Sequence, residues 1–283
     1  MYTYFSQLSF VKILLVFLIA QILGSALAVG WLELFPIISK YPDLGFEILR
    51  AWPSIILILW FLYDMGQKWV SLLPDFQLIR KQIRISDIAS ISLFNILIGL
   101  FSIYTILYSV VYFLPLENLT KLWESNGIAE ETTLVGVIAA AIVAICLAPI
   151  AEEFIFRWFL FTKLQTKFSP WISMIFSSLL FSATHFSVSF ITTFLFALVL
   201  CIVFYKTRNI ALTILLHIIN NTFVSIVQIA GILFSHSSSK DLNPSEISFQ
   251  FYTIALPCLL VSLLLGYYLI QKRKLLHLDS TFM

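Results

Sequence analysis

An all-α bundle of about eight transmembrane helices, with a cytoplasmic N-terminus, is the fold this sequence predicts, and three observations carry it. Of 283 residues, 60% are hydrophobic and 11% charged, less than half the charged share of a soluble domain. The apolar residues fall in uncharged runs long enough to cross a bilayer. The 17 basic residues divide unevenly between the two sides those runs define.

The runs cover roughly residues 10–30, 48–63, 88–114, 133–160, 170–187, 189–205, 210–234 and 250–270. Lipid offers no partner to a backbone amide, and the runs lack the alternation of a barrel strand, so each is read as a helix. A cytoplasmic N-terminus puts Lys12, Lys68, Arg80, Lys81, Arg84, Arg157, Lys163, Lys167, Lys206, Arg208, Lys272, Arg273 and Lys274 inside. Only Lys40, Arg50, Lys121 and Lys240 are left outside. Lys12 followed by an apolar stretch and Ala26-Leu27-Ala28 resembles a signal peptide, but the long run and late charge favour an uncleaved first helix. The loop from Asp64 to Asp87 fits either an interfacial helix or a solvated loop. The segment from Leu116 to Glu131 is acidic, external and turned at Asn126-Gly127. This divides the chain into helices 1–3 with their basic loop (1–132), four helices that hold the polar residues (133–234), and a last helix with a basic tail (235–283).

A net charge of +2 gives no reason to expect a nucleic-acid partner. Cys146, Cys201 and Cys258 are widely spaced within apolar runs. They read as small core residues without disulfides or metal spacing.

A charged side chain inside a membrane helix costs a few kcal/mol on insertion scales, so each one asks for a reason. His236 and His277 fall in a loop and the tail. Glu152, Glu153, His185, His217 and Asn221 fall inside apolar helices. Glu153 and Arg157, four apart, share a helix face in the favourable order. Glu152 points about 100° away and is left for another task. His217 and Asn221 also share a face. Pro149 removes a backbone donor just before the glutamates, where a kink would admit water. At about 1.5 Å per residue, Glu152 lies roughly 12–15 Å deep and His217 roughly 10 Å. His185 comes out too high, at roughly 22 Å, unless its helix starts deeper or the Phe186–Ser189 turn is sunk.

These residues fall into three motifs. EEFIFR at 152–157 resembles the EExxxR motif of the CAAX protease and bacteriocin-processing (CPBP) family. FSATH at 181–185 resembles its FxxxH motif, and HIINN at 217–221 its HxxxN motif. The resemblance, concentrated at 133–234, implies a membrane-embedded protease of the type II CAAX prenyl endopeptidase or ABI group, which also holds bacteriocin-immunity proteins. It implies that Glu152 and His185 activate a water and that His217 and Asn221 stabilise the oxyanion. Glu153 and Arg157 are then structural support, and Phe181 is packing.

A buried carboxylate suits the base, and imidazole and amide N–H groups suit the oxyanion. Glu152, His185 and His217 could instead hold zinc, although no HExxH pairing is present; the residues favour the metal-free reading. The expected partners are the lipid bilayer and a peptide or lipidated-protein substrate. The location is the cell membrane if the source is prokaryotic; the sequence leaves the oligomeric state open. Two other functions compete. A non-catalytic immunity or scaffold protein would keep its phenotype without Glu152. A proton-coupled transporter would carry inverted repeats, which the sequence lacks.

Overall fold

The computed structural model describes residues 9–35, 42–65, 84–113, 133–185, 190–234 and 244–271. Among these, every regular element is helical. The helices are α1 (Phe10–Leu34), α2 (Pro42–Met65), α3 (Ile85–Phe113), α4 (Leu134–Leu164), α5 (Pro170–Thr184), α6 (Phe190–Thr207), α7 (Ile210–Phe234) and α8 (Ser245–Gln271). Seven are long and apolar enough to cross a membrane, while α5 is a shorter apolar helix. The chain is a multi-pass integral membrane protein. The Leu116–Glu131 segment, most of the loop before Asp87, the Phe186–Ser189 turn, His236, His277 and the basic tail lie outside the described residues.

The expected inside-out distribution is visible side by side. Leu264, Ile22, Trp171 and Ile270 are more than 60% exposed, as lipid-facing residues should be. Glu153, Arg157, Ser177, Ser182 and Thr213 are fully buried. Cys201 is buried as predicted. Cys146 corrects the expectation of a core residue, because it faces outward from α4.

The chain divides into two compact units. The first comprises Met1–Gln82, Thr132–Ser173 and Asn209–Ser235, and so holds α1, α2, α4 and α7. Ala20, Gly24 and Ala28 follow one another at every fourth residue, and all are buried. A Cβ on Gly24 would lie 2.6 Å from the Pro53 nitrogen, so only glycine lets α1 approach α2 this closely. At the other end of the pair, Lys12 Nζ lies 2.6 Å from Asp64 Oδ1 and 5.6 Å from the centre of the Trp60 ring. Helix α2 begins earlier than the hydropathy pattern suggests. Glu47 accepts from Arg50 at 3.0 Å within its early turns. Further along, Phe61 stacks on Phe154 and Phe154 on Trp158, with centroids 5.3 and 5.1 Å apart, which joins α2 to α4. Asn209 caps α7, its Oδ1 accepting from the Leu212 N–H at 2.9 Å.

The second unit comprises Ile83–Glu131, Met174–Arg208 and His236–Met283. Hydroxyl pairs hold it together. Ser102 meets Thr192 at 2.8 Å, joining α3 to α6. Ser182 meets Thr193 at 2.7 Å, joining α5 to α6, and the Ser178 hydroxyl reaches Cys201 Sγ at 3.7 Å. Helix α8 packs on α3 through Tyr108 and Phe251, stacked 4.3 Å apart.

Candidate active site

Helix α4 does not run as a regular α-helix. It widens to an i→i−5 hydrogen-bond register at Val143–Leu147 and again at Phe154–Phe161. One ordinary stretch, Ala148–Glu153, lies between. Both glutamates sit at its end. Wide turns of this kind cluster at functional sites, because they re-aim side chains that a regular helix would spread.

Glu153 is the fixed point. Its Oε1 accepts a hydrogen bond from His217 Nδ1 and forms an ion pair with Arg157 Nη1, both at 2.9 Å. Glu153 and Arg157 are fully buried, and His217 is 3% exposed. The predicted Glu153–Arg157 pairing is therefore present, and Arg157 is not a side chain reaching for the surface. The bond from α7 was not foreseen. It means that Nδ1 of His217 carries the hydrogen, so the imidazole presents Nε2 to whatever lies on its other side. Glu152 lies there, with Oε2 3.7 Å from Nε2. Two adjacent glutamates thus flank the two nitrogens of one ring. Glu152 differs from its neighbour in remaining 22% exposed at its side chain.

Asn221, one turn beyond His217, donates from Nδ2 to the Ala144 carbonyl at 2.8 Å. A primary amide has two hydrogens on that nitrogen, so one is committed to α4. Together, α4 and α7 gather Glu152, Glu153, Arg157, His217 and Asn221 within the first unit.

His185 belongs to the second unit. It follows the last turn of α5, where its Nδ1 donates to the Phe181 carbonyl at 3.0 Å and its ring stacks on the Phe181 ring at 4.7 Å. Phe181 is 1% exposed. It is more than packing, because it supplies both the plane and the acceptor that set the ring's orientation. As in His217, Nδ1 is the nitrogen that fixes the ring.

A zinc ion would need three or four side-chain donors at about 2.0–2.2 Å. Glu152 and His217 are two, and the remaining nitrogen of His217 is bound to Glu153. Among the described residues, no three His, Cys, Asp or Glu side chains gather as ligands. No step below is routed through a metal.

Residues 134–223 match the family model described as Type II CAAX prenyl endopeptidase Rce1-like. No curated protein and no solved structure matches the chain. The matched stretch runs from the start of α4 to two residues past Asn221, so every site residue named above lies within it.

Proposed function

Because residues 134–223 match the Rce1-like model of type II CAAX prenyl endopeptidases, we propose that this chain is an intramembrane protease that hydrolyses a peptide or lipidated-protein substrate with Glu152 as general base. The observation that carries this reading is the division of labour between the two glutamates. Glu153 is held by a buried ion pair and a hydrogen bond, while Glu152 stays partly exposed beside an oriented imidazole.

In the proposed reaction Glu152 takes a proton from a water as its oxygen bonds to the scissile carbonyl carbon. The carbonyl becomes a tetrahedral oxyanion. The C–N bond then breaks, Glu152 returns the proton to the departing amine, and a carboxylate and an amine are released. His217 stands with Nε2 3.7 Å from the Glu152 carboxylate, close enough for its protonated form to attract that charge. Its Nδ1 hydrogen is taken, so only the protonated ring can help the oxyanion. The second hydrogen of the Asn221 amide is the other donor. Removing such a donor typically costs on the order of 100-fold in rate. The family resemblance gives His185 a share in activating the water. Arg157 and Glu153 hold the ring that stands beside the base.

The test is purified protein in vesicles with two peptides of one sequence, one carrying a prenylated cysteine near its C-terminus and one without the lipid. Cleavage of the lipidated peptide is expected, read as a new fragment mass, with the same rate in a zinc chelator. No product from either peptide contradicts the protease reading. Cleavage lost to the chelator and restored by zinc contradicts the metal-free step.

A further inference from the structure

We propose that Pro149 is a positioning residue for Asn221: having no N–H, it leaves the Ala144 carbonyl to the Asn221 amide and thereby sets where that amide's second hydrogen points. The inference rests on the reading above for its kinetic consequence, but its structural half stands on bonding alone.

In the widened turn, the Ala148 N–H bonds five residues back to Val143 O. The next bond in that register would run from the nitrogen of residue 149 to Ala144 O. Proline has no hydrogen to give. A carbonyl left without a partner inside a membrane helix costs about as much as a lost hydrogen bond. Asn221 Nδ2, 2.8 Å away on α7, supplies the missing donor. The bond does two things. It ties α7 to the turn just before the glutamates, while the His217–Glu153 bond ties the same helices just after it. It also fixes the plane of the amide, since one hydrogen is anchored on a backbone atom and the geometry of an sp² nitrogen dictates the direction of the other. An alanine at 149 would offer its own N–H to Ala144 O, compete for the acceptor and release the amide from that orientation.

The experiment is a double-mutant cycle of Pro149→Ala and Asn221→Ala. For the protein in detergent, Asn221→Ala should lower the unfolding midpoint by about 3 °C, the effect of one lost hydrogen bond in a chain of this size. With alanine at 149 the same change should cost roughly 1 °C or less, because the backbone now satisfies the carbonyl. Pro149→Ser restores the N–H equally and should behave alike, so one poorly folding variant does not decide the matter. Equal losses in both backgrounds overturn the proposal. In vesicles, Pro149→Ala should lower kcat about tenfold with KM within twofold, and should lower it no further once Asn221 is alanine. Multiplicative losses in kcat overturn the positioning role. Were the chain to show no peptidase activity, the reading of function would fail while the midpoint cycle still decided the bonding.

Discussion

Glu152→Gln is expected to slow cleavage by at least about 1000-fold while the unfolding midpoint stays within about 1–2 °C of the parent. Glutamine has the same length and shape, but its amide takes no proton from water. A positioned general base contributes about 100- to 10,000-fold, and this is the only glutamate of the pair left partly exposed. Stability should hardly change, because the substitution keeps the side chain's length and shape, and the approach to His217, at 3.7 Å, is beyond hydrogen-bond length. The check is initial cleavage rate per folded molecule in vesicles. A variant within about tenfold of the parent would remove Glu152 from the base role.

Arg157→Ala is expected to act in the opposite way, through folding. Arg157 and Glu153 are both fully buried, and removing one member of such a pair leaves the other charge uncompensated. That typically costs about 3–5 kcal/mol, or a midpoint lower by roughly 10 °C in a chain of this length. Melting in detergent and recovery of monodisperse protein report it directly. Replacing both residues together, Glu153→Leu with Arg157→Leu, should recover much of the stability, since buried pairs often exchange for apolar side chains at little cost. It should not recover activity, because His217 then has nothing on Nδ1 to orient it. A single Arg157→Ala variant that melts within about 2 °C of the parent would mean the pair carries little of the fold.

The membrane helices were legible because lipid imposes a simple rule, an apolar run of sufficient length, and residues obey it whatever their neighbours. The rule misplaced the start of α2. There Glu47 and Arg50 dilute the hydropathy, yet they neutralise each other within the helix. It also failed at Cys146, since an apolar run does not say which face turns outward. Within the site, the Glu153–Arg157 pair followed from a spacing of four. The convergence of both glutamates on His217 did not follow, because the histidine comes from another helix and its approach is a tertiary fact. The two widened turns of α4 were equally hidden, as hydropathy carries no record of hydrogen-bond register. Pro149 was a signal for the first, and it was read only as a kink. Nothing in FIFRWFLF at 154–161 announces the second.

One comparison decides whether neighbouring glutamates really divide chemistry from structure: cleavage rate per folded molecule for Glu152→Gln beside Glu153→Gln, with each variant's melting midpoint taken on the same preparation. The expected result is a stable, inactive protein in the first case and a destabilised one in the second, its midpoint lower by several degrees. A Glu152→Gln protein that cleaves at the parental rate, or a Glu153→Gln protein as stable as the parent, would contradict it.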